Sequence, residues 1–266
     1  MAQQPVYSMA HADIIVTHKC NMKGNCLPTC ADKFVNTSDK EIETSVVEKF
    51  LGLFSAHIAK RETENVIFYE QPQILVLGGE PALVGSEKLI AIAKAAEKYN
   101  FKKIISSNGL NLEVLKEIAP YYDSLQITLQ GYGHPKELDR LRQIGADKVN
   151  VKLRCDAKLT YEMLIRFIEN TKDFSRRSVV RYWDYAKACF TNKDPEILAF
   201  MDSLEWKRFS DSISSSMYAM YENVRFKKET DEILTAEMPD IPKLYPSGVY
   251  NCTWKDETSN PYFGEL

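Results

Sequence analysis

The chain reads as an α/β protein built on a parallel sheet, and three observations lead there. Short apolar runs alternate with helix-like periods six times between Ile14 and Leu204. Most of the runs end in a turn carrying glycine, asparagine or cysteine. The helical stretches between runs supply the crossover of about a dozen residues that parallel neighbours require. Such a sheet either opens as a doubly wound fold or curls towards a barrel.

Residues 1–11 read as a loose lead-in, and Ile14-Ile15-Val16 as a short buried strand that delivers the chain to a cysteine loop. Ser38-Asp39-Lys40-Glu41 has capping-box spacing, and Val46, Val47, Phe50, Leu51, Phe54 and Ile58 recur behind it at helical intervals. Lys60 to Asn65 is a charged turn, and Val66 to Tyr69 is either a further strand or an irregular insertion. Ile74 to Leu77 is the second strand; it ends in Gly78-Gly79-Glu80-Pro81, and an alanine-rich helix follows from Ser86 to Tyr99. Strand Lys103 to Ser106 runs into Asn108-Gly109 and helix Leu112 to Ala119. Strand Leu125 to Leu129 runs into Gln130-Gly131 and a helix from about Pro135 to Ile144. Strand Val149 to Leu153 with helix Tyr161 to Asn170, and strand Val179 to Tyr182 with helix Pro195 to Leu204, complete the series. The period then stops. Asp211 to Asn223 reads as helical, and Pro239, Pro242, Pro246 and Pro261 punctuate the tail. The expected organisation is a single domain over residues 1–204 with an extension, 205–266, that packs on it and is not an independent domain.

With 266 residues, 44% hydrophobic and 27% charged, the chain suffices for one sizeable core. A net charge of −3 leaves no overall electrostatic footprint for nucleic acid or a membrane surface. Met1 to Pro5 lacks a basic leader region, and no run of about 18 apolar residues occurs, so the expected compartment is the cytoplasm. Six cysteines in that setting point to metal ligation or buried thiols before disulfides.

Three of the six, Cys20, Cys26 and Cys30, fall within one loop directly after the first strand. Thiolates are soft ligands suited to iron–sulfur clusters, zinc or copper(I), and a closed zinc site wants a fourth ligand that this loop does not readily offer. Three thiolates on a four-iron cluster would leave one iron for an outside ligand. On the fifth strand, Lys152 and Arg154 alternate with apolar neighbours and share one side of the sheet; Lys152 is expected as solvated charge, and Arg154 suits a carboxylate. Cys155, Cys189 and Cys252 stand singly and read as buried thiols, and His57 and His134 as surface or cap residues. Tyr182-Trp183-Asp184-Tyr185 either packs in the core or stacks a planar ligand.

The cysteine loop after the first strand, Gly78-Gly79-Glu80-Pro81 after the second and Asn108-Gly109 after the third resemble, in order, the motifs of radical S-adenosylmethionine enzymes, over roughly residues 13–204. The spacing is C-x5-C-x3-C where that family usually has C-x3-C-x2-C, and Thr29 stands where an aromatic residue is common. The resemblance implies a partial (β/α)6 barrel of TIM type. It implies one [4Fe-4S] cluster on Cys20, Cys26 and Cys30 whose fourth iron chelates the amino and carboxylate groups of S-adenosylmethionine. It implies that Gly78, Gly79, Glu80 and Pro81, with Asn108, border that cofactor. Thr128 matches a hydroxyl residue that meets the ribose, Gln130 stands where an acidic residue often does, and Arg154 could hold the methionyl carboxylate. The implied reaction is reductive cleavage to a 5′-deoxyadenosyl radical that abstracts hydrogen from a small molecule or nucleotide-like heterocycle, with an electron donor such as flavodoxin or ferredoxin. Oxidoreductase, lyase and isomerase outcomes stay open. So do an activase for a glycyl-radical enzyme and a 7-carboxy-7-deazaguanine synthase-like enzyme, the latter on Cys30-Ala31-Asp32-Lys33-Phe34. A non-catalytic zinc-binding α/β protein is the rival from outside this family. Residues 205–266 are expected to cover the barrel's open side, with Tyr250 to Trp254 nearest the chemistry.

Overall fold

The computed structural model describes residues 6–8, 10–22, 40–64, 66–68, 70–174, 176–181, 183–184, 189–190, 192–201, 203, 225–226, 233–234, 242–244, 249–252 and 264–265. In chain order the elements are β1 (Val6–Ser8), β2 (His11–Ile15), α1 (Thr44–Thr63), β3 (Val66–Phe68), β4 (Gln73–Leu77), α2 (Ser86–Glu97), β5 (Lys102–Ser107) and α3 (Leu112–Ile118). There follow β6 (Ser124–Thr128), α4 (Pro135–Arg142), β7 (Val149–Cys155), α5 (Tyr161–Asn170), β8 (Arg176–Arg181), β9 (Trp183–Asp184), β10 (Cys189–Phe190) and α6 (Pro195–Met201). The last are β11 (Arg225–Phe226), β12 (Ile233–Leu234), β13 (Pro242–Leu244), β14 (Val249–Cys252) and β15 (Gly264–Glu265). The class is the α/β one expected: β2 and β4 are parallel, as are β6, β7 and β8, and a helix follows each of these strands and β5 along the chain. Two compact units divide the chain, residues 1–19, 38–104 and 216–266 in one, and 20–37 and 105–215 in the other.

In the first unit β2 lies parallel to β4, in register from His11 opposite Gln73 to Ile15 opposite Leu77. The lead-in is more ordered than expected, because Val6–Ser8 pairs in parallel with Val66–Phe68; that pairing also makes Val66 to Phe68 a strand. Helix α1 buries Val47, Phe50, Leu51, Phe54 and Ile58, the apolar stripe seen in the sequence. It begins at Thr44, however, and not behind Ser38-Asp39-Lys40-Glu41. Ser38 and Asp39 lie outside the described residues, while Glu41 forms an antiparallel bridge with Thr17 and the Ile42 amide donates to Val16 O at 2.9 Å. Those backbone bonds compete with the helical ones and delay the helix. From the C-terminal segment, β13 joins β2 in parallel, β14 runs antiparallel to β13 and β15 to β14, and Leu244 is fully buried. The proposed helix at 211–223, and Trp254, lie outside the described residues.

In the second unit β6, β7 and β8 are parallel neighbours, with Thr128 opposite Lys152 and Lys152 opposite Ser178. Every residue of β7 is buried, and its side chains alternate strictly. Val149, Val151, Leu153 and Cys155 take one face, in the core with Leu138 and Leu141 of α4 and Leu164 and Phe167 of α5. Asn150, Lys152 and Arg154, continued by Asp156, take the other. Cys155 is the buried thiol expected; Cys189 and Cys252 fall on β10 and β14. His134 is the N-cap of α4, its Nδ1 accepting from the Lys136 amide at 3.3 Å. Among the described residues no helix is long and apolar enough to cross a membrane.

Candidate functional site

The glycine turn after β4 is built against the residues that lead into Cys20. Gly79 N–H donates to Thr17 O and Glu80 N–H to Lys19 O, both at 2.8 Å. This approach is too close for any other residue. Gly78 sits at φ +145°, where an added Cβ would strike Thr17 O, and a Cβ on Gly79 would overlap Lys19 O and come within 2.7 Å of His18 O. Glu80 is 1% exposed, and its Oε1 accepts from the Ala82 amide at 3.0 Å, capping the 3-10 turn that Pro81 opens. Its carboxylate is thus engaged in holding the turn. Lys19 is tied by its ammonium to Glu41 Oε1 at 3.3 Å, and Lys88 on α2 takes Glu41 Oε2 at 2.9 Å. The Lys88 hydrogen bond is the largest influence holding the Glu41 carboxyl below its usual range. The backbone ahead of the first cysteine is therefore pinned from two sides.

In the second unit the start of the cysteine loop meets the Asn-Gly turn. Asn108 Nδ2 donates to Asn21 Oδ1 at 2.7 Å, and Asn108 Oδ1 accepts from the Leu110 amide at 3.0 Å. Gly109, at φ +75°, passes so close to Ile127 that a Cβ would lie 2.7 Å from its Cγ2. Cys20 is half-buried, and its Sγ accepts from the Met22 amide at 3.4 Å, an N–H···S contact of the kind that softens sulfur charge. Cys26 and Cys30 lie outside the described residues. The donor chemistry fits an iron–sulfur cluster, since the one described cysteine of the loop is reachable and already carries an amide donor.

At the carboxyl end of β6, Thr128 is half-buried and its carbonyl accepts from Gln130 Nε2 at 2.8 Å. Glu137 of α4 accepts from the Gln130 amide at 2.6 Å and the Gly131 amide at 3.0 Å, and Gln130 Oε1 is buried with no hydrogen-bond partner among the described residues. At the end of β7, Arg154 is buried; its Nη2 donates to the Tyr132 hydroxyl at 3.4 Å, and its guanidinium carbon lies 5.2 Å from that ring's centre. The Tyr132 hydroxyl in turn donates to Asp156, 2.9 Å from each carboxylate oxygen. Burial first, and then the Asp156 carboxylate, push the Tyr132 phenol up to about 12. Tyr132 adopts φ +51°, rare for a side chain of that size. Asn192 Nδ2 holds the Asp156 carbonyl at 2.7 Å. Arg154 Nε lies 3.8 Å from Asp156 Oδ2 and has no hydrogen-bond partner among the described residues.

Sequence reasoning missed Tyr132 and Glu137, which carry no motif, and gave Asp156 a place at a strand end but no role. It also misplaced Lys152, which is 7% exposed and not a solvated charge. The strand continues two residues past the predicted end, so Lys152 is an interior strand position and not a strand end, and all seven residues of β7 are buried. The Asn150-Lys152-Arg154-Asp156 alternation was the available signal.

No protein-family model matches the chain. A stretch of 116 residues, 42% of the chain, is 29% identical to an S-adenosylmethionine-dependent nucleotide dehydratase of Pseudoalteromonas ulvae, and the match spans 37% of that relative's length. Among solved structures, "native anSMEcpe with bound AdoMet and Cp18Cys peptide" superposes with a TM-score of 0.51 at 14% identity, covering 78% of this chain and 61% of that one. A histidine-tagged form of the same protein with bound AdoMet gives a TM-score of 0.48 at 12% identity, over 68% of this chain and 55% of that one. The 0.51 superposition shows the shared fold. The sequence match is a likeness over part of the chain to a protein that uses S-adenosylmethionine.

Proposed function

We propose that the protein is a radical S-adenosylmethionine enzyme acting on a small molecule. The observation that carries the reading is the glycine turn. Gly78 and Gly79 are obligatory because their backbone lies against Thr17 to Lys19, so the second strand's turn and the approach to the first cysteine form one rigid piece. In this reading Cys20, Cys26 and Cys30 hold three irons of one [4Fe-4S] cluster. When bound, the cluster supplies the electron that cleaves a carbon–sulfur bond of S-adenosylmethionine. Backbone carbonyls of the turn, more than the engaged Glu80 carboxylate, serve the cofactor's ammonium. Asn108 orients the loop through Asn21, Thr128 and Gln130 offer a hydroxyl and an amide oxygen to the ribose, and Arg154 takes the methionyl carboxylate. Tyr132 and Asp156 hold the Arg154 guanidinium in place. The electron comes from a flavodoxin or ferredoxin. The name of the relative supports a nucleotide-like substrate.

The test is anaerobic reconstitution followed by reduction with dithionite. The expected results are about four irons per chain, conversion of S-adenosylmethionine to 5′-deoxyadenosine and methionine, and loss of both in the chain with Cys20, Cys26 and Cys30 all replaced by Ala. Iron bound without 5′-deoxyadenosine formation, or S-adenosylhomocysteine as the product, would overturn the reading. Colourless protein carrying zinc would do so as well.

A further inference from the structure

The polar face of β7 below Arg154 has no role in the proposed cofactor site, yet it is buried. Three strands bring one layer of side chains together: Thr128 of β6, Lys152 of β7 and Ser178 of β8 stand side by side in register. Strands lie about 4.8 Å apart and residues two apart share a face, so this layer and the Gln126 and Asn150 layer beneath it form one polar wall. Lys152 donates to Gln126 Oε1 at 2.8 Å, and among the described residues no carboxylate pairs with it. Ser178 Oγ and Asn150 Oδ1 belong to buried residues, 5% and 6% exposed, and have no hydrogen-bond partner among the described residues.

A core that only needed packing would place apolar residues here, as the other face of the same strand does. A buried ammonium with a single neutral acceptor is costly, and so is each buried polar atom left unpaired. The covering charge balance points one way. Lys152 and Arg154 are two cations on one face, and Asp156 lies 3.8 Å from Arg154 alone, which leaves the Lys152 charge unbalanced among the described residues. We propose that the Thr128, Lys152 and Ser178 layer, backed by Gln126, receives an acidic group of the substrate, a carboxylate or a phosphate. The ammonium supplies the charge and two donors beyond the one given to Gln126, Ser178 supplies a hydroxyl donor, Thr128 lines the layer and keeps its hydroxyl for the ribose, and Asn150 Oδ1 accepts from a neighbouring hydroxyl of the same ligand. Thr128 is half-buried at the carboxyl end of β6, where ligands enter such sheets, which gives the layer its access. The inference rests on the enzyme reading only for calling this ligand a substrate.

The full chain, reconstituted anaerobically, is titrated with sodium phosphate, sodium succinate and sodium chloride at matched ionic strength while its melting temperature is followed. The expected result is a saturable rise with phosphate or with succinate and none with chloride; the anion that acts tells a phosphorylated from a carboxylated substrate. Lys152→Met should raise the half-saturating concentration by ~10-fold or more, the loss of a charge-assisted bond. Ser178→Ala, which keeps the charge and removes only the hydroxyl, should raise it several-fold and guards against a misfolded lysine variant. No saturable response to either acid anion, or an unchanged midpoint in Ser178→Ala, overturns the proposal. S-adenosylmethionine affinity is measured on the same wild-type preparation. Anion response without cofactor binding would sink the enzyme reading and leave the acidic-group site standing; cofactor binding without anion response would sink this proposal alone.

Discussion

Replacing Lys152 by Met should remove a pH dependence of stability that the wild-type chain carries. Burial alone lowers the Lys152 ammonium from its ordinary 10.5 to about 8. Between those values the unfolded chain binds the proton and the folded one does not, so the unfolding free energy rises with pH through that window. The cost of the buried charge is present in full below about 8 and is gone above 10.5. At roughly 1.4 kcal/mol per pH unit, the gap amounts to about 3 kcal/mol. Methionine fills the same volume without the charge, but it leaves Gln126 Oε1 without the bond it now receives, at roughly 1–3 kcal/mol. At neutral pH the two effects nearly cancel, and the variant should equal the wild type or exceed it by up to about 2 kcal/mol. The difference between the two proteins is the clean quantity, because every other titrating group is common to both. Urea unfolding in buffers free of phosphate and carboxylate, at several pH values from 7 to 10.5, should show the wild type gaining about 3 kcal/mol on Lys152→Met. Parallel stability curves would refute the argument and mean that Lys152 is not carried as a costly charge in the folded protein.

Gly79→Ala should lower both iron content and cofactor affinity, since its Cβ would displace Lys19 and His18; losing the two backbone bonds alone costs roughly 2 kcal/mol, read as a fall in melting temperature. Tyr132→Phe removes the hydroxyl that Asp156 accepts and Arg154 reaches; calorimetric titration should show S-adenosylmethionine binding several-fold more weakly, with a stability loss of only about 1 kcal/mol. Leu244→Ala should cost about 2–4 kcal/mol in equilibrium unfolding, because β13 is a sheet neighbour of β2 and this side chain is fully buried.

How much of this was legible in the chain follows from the range of the interactions involved. Hydrophobic period and turn residues are local, and they determined the α/β class, the six strand–helix rounds and even the bounds of α5, Tyr161 to Asn170. The cysteine loop, Gly78-Gly79-Glu80-Pro81 and Asn108-Gly109 were equally legible, because a tight backbone approach demands glycine whatever lies on the other side. What lies there was not legible: that Gly79 presses on His18 and Lys19, or that Asn108 holds Asn21, depends on pairings across dozens of residues. The delayed start of α1 has the same origin, a bridge from Glu41 to Thr17 that outbid a local cap. Lys152 shows the limit most plainly. Its alternation with valine and leucine put it on one face of a strand, but only the tertiary structure, in which β7 is an inner strand between β6 and β8 and buried on both faces, decided that this face is covered, because burial of a strand is a property of what packs around it and not of its own residues.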